Sequence, residues 1–149
     1  MGCDIHFFVE KKSTQFKRNE TLNVILDEQD VINNENEWEL VSSDDDDFYG
    51  DRNYGLFGLL ADVRRTPKNG PISEPRGFPD DTSVSLKEIY KEWGWDAHTP
   101  SYFSLTELIN VDWTKYDDVH INDFMTAIEK MKKIDQNTDN VRCVFWFDN

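Results

Sequence analysis

Acidic, imidazole and guanidinium side chains occur in four short groups, each near the end of an apolar segment or inside a loop. The groups are Asp4 with His6, Asp51-Arg52-Asn53, the loop at 74–77 around Arg76, and Asp96 with His98. Arginine forms a planar fork that matches phosphate or carboxylate oxygens, and aspartate holds arginine or histidine in orientation. A small domain has room for one polar cleft. We therefore expect these groups to meet in one site for an anionic ligand.

The first ten residues predict a β-strand, because β-branched and aromatic side chains dominate and no proline interrupts them. Side chains alternate along a strand, which places Asp4 and His6 on the same face. His6, Arg52 and Arg76 also have purely structural interpretations. His6 fits a hydrogen-bonded core histidine, and Arg52 fits a surface partner for the aspartates at 44–47. Arg76 fits a residue that holds its loop in place by bonding to backbone carbonyls.

Asp4-Ile5-His6 matches the Asp-x-His that opens the first strand of calcineurin-like metallophosphoesterases. Those enzymes need further histidines and aspartates to hold two metal ions, and this chain has 3 histidines in total. We therefore predict no metal site and no cofactor. A hydrolase with one metal ion or none, using His6 and His98 as a general acid–base pair, remains an alternative.

Hydrophobic periodicity predicts an α+β fold in a single domain spanning residues 1–149. Strands are expected at 1–10, 21–26, 37–41 and 141–147, and the main helices at 54–65, 83–93 and 120–135, with a further helical turn or two at 105–111. The last strand is almost continuously apolar, which is typical of a strand buried on both faces. We expect a mixed or antiparallel sheet in which the two terminal strands are neighbours, packed by about three helices.

The formal net charge of −14 argues against a surface that coats nucleic acid, because phosphate binding needs clustered basic residues. No apolar run approaches the length of a membrane span, so we expect a cytoplasmic protein that binds no membrane. The sequence favours buried free thiols at Cys3 and Cys143, and a disulfide between them is the alternative. Four consecutive aspartates at 44–47 are typical of a solvated loop and lack the spacing of an EF-hand.

Several segments of this sequence resemble a family of small, largely uncharacterised proteins encoded mainly by bacteriophages. The resemblance rests on the opening Met-Gly-Cys-Asp-Ile-His, on Arg52-Asn53-Tyr54 followed by Leu60-Ala61-Asp62-Val63-Arg64, on Glu74-Pro75-Arg76-Gly77-Phe78-Pro79, and on Asp96-x-His98 ahead of Ser104-Leu105-Thr106-x-Leu108. It covers residues 1–108. The resemblance implies a context, expression in a host cytoplasm during infection, and no particular mechanism.

Small acidic phage proteins with arginine-lined pockets often counter host defence, so the leading hypothesis is a protein that sequesters a phosphorylated, nucleotide-like molecule. Its expected ligand-binding residues are Asp4, His6, Arg52, Asn53, Arg64, Arg76, Asp96 and His98. Trp95 or Tyr102 are candidates for stacking on a base. Two alternatives stay open: a phosphodiesterase that uses the same residues, and a protein inhibitor that acts through its acidic face. A homo-oligomer with the pocket at a subunit interface is compatible with the leading hypothesis.

Overall fold

A four-stranded antiparallel sheet forms the centre of the protein in the computed structural model, which describes residues 2–13, 38–44 and 47–148. Its strands are β1 (Asp4–Lys12), β2 (Trp38–Leu40), β3 (His98–Ser104) and β4 (Val141–Asp148), in the order β2-β1-β4-β3. The terminal strands pair along their length, with Asp4 opposite Asp148 and Lys11 opposite Val141. The predicted α+β fold with neighbouring terminal strands is confirmed. The expected strand at 21–26 lies outside the described residues.

Four α-helices connect the strands in the described part of the chain: α1 (Tyr54–Ala61), α2 (Val84–Trp93), α3 (Leu105–Asn110) and α4 (Asn122–Lys132). Short 3-10 helices lie at Gly94–Asp96, Trp113–Tyr116 and Thr138–Asn140. α1 ends four residues earlier than predicted because Asp62 adopts a left-handed conformation, with φ 56°, and donates its N–H back to the helix. None of these helices has the length and hydropathy needed to cross a membrane.

Both faces of the sheet are covered, which explains the uninterrupted apolar sequence of β4. On one face Phe7, Phe145 and Phe147 pack against residues of α1, α3 and α4. On the other face Phe8 and Trp146 pack against α2. Each β4 side chain from Val141 to Phe147 is buried.

Cys3 and Cys143 are free buried thiols, as the sequence favoured. The strand register explains why they do not pair. Cys143 lies opposite Val9, whereas Cys3 precedes the first β1 residue at the far end of the same strand pair. A disulfide needs Cα atoms within about 7 Å, which this register does not allow.

Gly55 and Gly58 lie inside α1, where glycine costs stability, because other groups pack against them. The Arg65 backbone carbonyl lies directly over Gly58, and Val119 is the neighbour of Gly55, 3.2 Å from the position of a Cβ atom. The chain after α1 therefore folds back onto the helix, and this turn sets the position of Arg65.

Gly58→Ala is expected to destabilise the protein by about 1–3 kcal/mol, although alanine is the better helix former. A methyl group would overlap the Arg65 carbonyl, which is backbone and cannot move without shifting the turn. Chemical denaturation of the variant measures the change in the free energy of unfolding. Ala127→Gly in α4, the opposite exchange, is measured for comparison. A Gly58→Ala protein as stable as wild type would contradict the close packing.

Candidate functional site

Most of the sequence-predicted site residues meet at one end of the sheet, where β1 begins, β4 ends and β3 begins. Asp4 lies opposite Asp148, and His98 lies opposite Phe147. The Arg52 Nε donates a hydrogen bond to Asp4 Oδ1 at 2.9 Å, and this pairing lowers the pKa of the Asp4 carboxyl. The loop before α1 is thereby fixed to the start of β1.

His6 is a buried, hydrogen-bonded imidazole, which agrees with its structural interpretation. Its Nε2 lies 2.8 Å from Asp148 Oδ2, and its ring is 4.0 Å from the ring of Trp93. The other oxygen of Asp148 accepts the backbone N–H of Asp4 at 3.2 Å. Because the ring is enclosed by tryptophan and carboxylate, a ligand cannot reach it without displacing part of this packing.

His98 lies on the opposite face of the sheet from His6. Residues that face each other across an antiparallel pair point to the same side, and His6 faces Trp146 whereas His98 faces Phe147. The His98 Nδ1 lies 3.0 Å from Thr99 Oγ1, and its buried Nε2 has no hydrogen-bond partner among the described residues. The structure therefore does not bring the two imidazoles together as the acid–base pair of the hydrolase alternative.

Arg76 lies at the outer edge of β3, away from this end of the sheet, and its guanidinium is already engaged. It forms a bidentate ion pair with Glu107, with Nη1 to Oε1 at 2.8 Å, and also donates to the Tyr102 carbonyl at 3.1 Å. The backbone N–H of Arg76 donates to Ser101 Oγ at 3.0 Å. These bonds match the structural interpretation of Arg76 as a loop tie.

The Arg76–Glu107 pair predicts an acid-sensitive contribution to stability. The hydrogen bond from Arg76 lowers the pKa of Glu107 below its ordinary 4.5, so the folded state binds this proton less tightly than the unfolded state. The contribution, roughly 1 kcal/mol for a partly exposed pair, is present above pH 4.5 and disappears as the pH falls through the folded pKa.

Urea denaturation of wild type and Glu107→Gln across this acid range tests the prediction. Glutamine keeps the hydrogen bond to the Ser104 N–H that caps α3. The free-energy difference between the two proteins should therefore shrink as the pH falls. A difference that is independent of pH would contradict the ion-pair explanation.

Arg64 and Asp96 take peripheral positions at the same end of the sheet. Arg64 follows α1 with φ 69°, and its guanidinium lies 5.4 Å from the Tyr54 ring. Burial raises the pKa of the Cys3 thiol, and a hydrogen bond from Arg64 offsets only part of that effect. Cys3 therefore lacks the lowered pKa of a nucleophilic cysteine. Asp96 is exposed on the 3-10 turn Gly94–Asp96.

An open cleft of about 700 Å³ lies beside Arg52, between the loop before α1 and the start of α4. Its walls carry two tyrosines, two aspartates, two arginines and a histidine: Tyr49, Tyr54, Asp51, Asp123, Arg52, Arg65 and His120. Asn53 joins the two walls, because its Oδ1 caps α1 at Leu56 N–H and its Nδ2 donates to the His120 carbonyl at 2.6 Å. The cleft is thus built by local capping of α1 and one contact across the chain.

Arg52 and Arg65 bring unused hydrogen-bond donors to this cleft. Within the described residues, the only side-chain hydrogen bond of Arg52 uses Nε, and the Arg65 guanidinium makes neither a hydrogen bond nor an ion pair. By contrast, Arg142 uses all three of its guanidinium nitrogens in the interior. Arginine side chains with unused donors are the groups that recognise phosphate or carboxylate oxygens, and two of them line this cleft.

The carboxyl groups of Asp51 and Asp123 are neighbours in the lining of the same cleft. The neighbouring Asp123 carboxyl raises the pKa of Asp51, because a second negative charge beside the first is disfavoured. Burial, together with these two carboxylates, also raises the pKa of the Tyr49 hydroxyl. Two neighbouring carboxyl groups offer hydrogen-bond acceptors to a ligand hydroxyl.

Arg52 and Asn53 were predicted for the site, whereas Tyr49, Arg65, His120 and Asp123 were not. In the sequence Arg65 follows a predicted helix, where a basic residue normally interacts with the helix dipole. His120 precedes a predicted helix and belongs to no recognised motif. Nothing in the sequence indicates that α4 begins beside the loop before α1. Within the described ranges, no three side chains of the His, Cys, Asp or Glu type form a group suited to a metal ion.

Comparison of the chain with known protein families, with curated proteins and with solved structures finds no match. The functional interpretation consequently rests on the geometry of the site.

Proposed function

We propose that the cleft beside Arg52 binds and sequesters a phosphorylated, nucleotide-like small molecule. The observation that carries this proposal is the convergence of Arg52 and Arg65, both with unused donors, on one cleft. A volume of about 700 Å³ lies within the range of roughly 300–1,000 Å³ that is usual for small-molecule sites. The negative charge of the whole protein makes such a local pair of guanidinium groups necessary for any anion.

Each wall of the cleft has a role in this proposal. Arg52 and Arg65 bind phosphate oxygens from two sides. The carboxyl groups of Asp51 and Asp123 accept hydrogen bonds from sugar hydroxyls. The exposed His120 ring lies at the start of α4, where it can stack on a base or contact the ligand edge.

Hydrolysis of the same ligand is a second candidate, and the Asp51–Asp123 pair is the observation that favours it. A carboxyl group with a raised pKa, as Asp51 has, can act as the general acid while a neighbouring carboxylate acts as the general base. Such a hydrolase would use this pair in place of His6 and His98, which lie on opposite faces of the sheet.

The resemblance to bacteriophage proteins supplies the biological context of the proposal. Removal of a nucleotide signal from the host cytoplasm would counter a defence system that depends on that signal. The inhibitor alternative depends on the acidic run at 44–47, of which residues 45 and 46 lie outside the described residues.

Incubation with cyclic nucleotides and ADP-ribose derivatives, with and without a divalent metal ion, tests the proposal. Free nucleotide is measured by mass spectrometry before and after the protein is denatured by heat. A nucleotide that is depleted first and then released intact supports sequestration. A nucleotide converted to a new mass by wild type and not by Asp123→Asn supports hydrolysis. No depletion of any nucleotide would reject both candidates and favour the acidic inhibitor.

A further inference from the structure

We infer that Gly2 and Asp4, at the start of β1, are positioning residues that hold the Arg52 guanidinium toward the cleft. This inference rests on the proposed function, and it assigns to the opening residues of the chain a role that they perform without contacting the ligand. The two residues act on different parts of the guanidinium, Gly2 by leaving space for it and Asp4 by bonding its Nε.

Gly2 is exposed, and the Arg52 guanidinium occupies the space that a side chain at this position would need. A Cβ atom on Gly2 would lie 2.5 Å from Cζ and 2.6 Å from Nη2 of Arg52. Carbon and nitrogen atoms cannot approach so closely, so any other residue would push the guanidinium away. The backbone conformation does not explain the glycine, since Gly2 is not among the glycines with positive φ.

Asp4 fixes the orientation of the same guanidinium through one hydrogen bond to Nε. Asp4 is itself held, because its backbone N–H donates to Asp148, whose other oxygen bonds the buried His6. The series from His6 through Asp148 and Asp4 to Arg52 therefore connects a rigid core group to the cleft. Arg52 and Asp4 are each about half exposed, with side-chain exposures of 52% and 45%, so a ligand can reach the guanidinium.

This arrangement determines which nitrogen atoms of Arg52 are available to a ligand. Nε is occupied by Asp4, so Nη1 and Nη2 provide the donors that remain. Two parallel donors at the end of the fork match two oxygens of one phosphate or carboxylate group. We therefore assign to Arg52 a bidentate contact with a terminal, non-bridging pair of oxygens.

Gly2→Ala tests the inference because it changes no charge and adds one methyl group at an exposed position. The guanidinium is the mobile end of a long side chain, so we expect it to move with little effect on the melting temperature. The affinity for ADP-ribose, used as the probe, should fall about tenfold, and Gly2→Ala should have no further effect in an Arg52→Ala background. Ser85→Ala, which alters another exposed residue, is the control and should bind as wild type does.

Two results would overturn the inference. The first is a Gly2→Ala protein that binds ADP-ribose as tightly as wild type. The second is an Asp4→Ala protein that binds more tightly, which would show that Asp4 competes with the ligand for Arg52.

A measurement without ligand separates failure of this inference from failure of the proposed function. In NMR spectra the Arg52 Nε proton should exchange slowly with water in wild type and faster in Gly2→Ala. If wild type binds no nucleotide but this difference is found, the proposed function fails and the positioning of Arg52 stands. If wild type binds ADP-ribose and exchange is equal in both proteins, the positioning role fails and the function stands.

Discussion

Arg142→Ala is expected to lower the free energy of unfolding by about 3–5 kcal/mol, because it leaves Glu10 as an unpaired charge in the interior. The Glu10 side chain is 0% exposed, and the Arg142 side chain is 6% exposed. Nε and Nη2 of Arg142 lie 3.0 Å and 2.8 Å from the same Glu10 oxygen. The two residues face each other across the β1–β4 pair, so the ion pair lies within the sheet.

The loss extends beyond one ion pair, because this pair joins several segments. The other Glu10 oxygen accepts the Ser83 N–H at the start of α2 at 2.9 Å, and Arg142 Nη1 donates to Asp81 at 3.0 Å. Asp81 in turn accepts Trp38 Nε1 at 3.1 Å, and the Arg142 guanidinium lies 4.1 Å from the Trp38 ring. Removing Arg142 therefore loosens β2 and the start of α2 at the same time.

Urea denaturation followed by circular dichroism measures this effect. Lys132→Ala is the matched control, because it breaks an exposed ion pair with Glu129, and a change below about 0.5 kcal/mol is expected there. The double replacement of Glu10 and Arg142 by leucine should cost less than Arg142→Ala, since no charge is then left unpaired. An Arg142→Ala protein within 1 kcal/mol of wild type would contradict the buried network, a limit well below the roughly 3 kcal/mol expected.

Replacing Arg52 and Arg65 together by alanine is expected to weaken the binding of ADP-ribose by about a hundredfold, or tenfold for each charge-assisted contact. Both guanidinium groups have free donors in the cleft, and neither is part of the hydrophobic core. The double variant loses the exposed Arg52–Asp4 ion pair, so its free energy of unfolding should fall by no more than about 1 kcal/mol. Isothermal titration calorimetry at fixed ionic strength measures the affinity.

Arg76→Ala is the control for this prediction, because it removes a guanidinium group that lies outside the cleft. Arg76 is bound to Glu107 and to the Tyr102 carbonyl, so its loss should lower stability and leave the affinity unchanged. The reverse pattern, with affinity lost in Arg76→Ala and kept in the Arg52/Arg65 variant, would contradict binding in the cleft and would indicate a binding site at the edge of β3.

The sequence predicts well those strands and helices whose hydrophobic pattern lies within one short segment of the chain. The alternation in β1, the apolar run of β4 and the helical stripes of α1 and α4 each follow from residues that are close along the chain. The pairing of β1 with β4 follows because the strands that are most apolar need the centre of the sheet. The boundaries of α1 are less predictable, since they depend on the left-handed conformation of Asp62 and on the turn that packs against Gly58.

The site is only partly predictable, because it depends on contacts between distant segments. Arg52 and Asn53 both line the cleft, but Arg76 is paired with Glu107, 31 residues further on. His98 is displaced from the face of His6 by the register of β3, which is irregular between His98 and Ser101 where Thr99 has φ 51°. A sequence pattern indicates which residue types are present but does not reveal these partners or this register.

Photo-crosslinking with an azido derivative of ADP-ribose, followed by peptide mapping, tests the central claim most directly because it locates the bound molecule. Crosslinks are expected in the loop before α1, around Arg65 and at the start of α4 near His120, and they should be lost when unmodified ADP-ribose competes. Crosslinks confined to the Arg76 loop or to the acidic run at 44–47, or crosslinks that persist under competition, would contradict binding in the cleft beside Arg52.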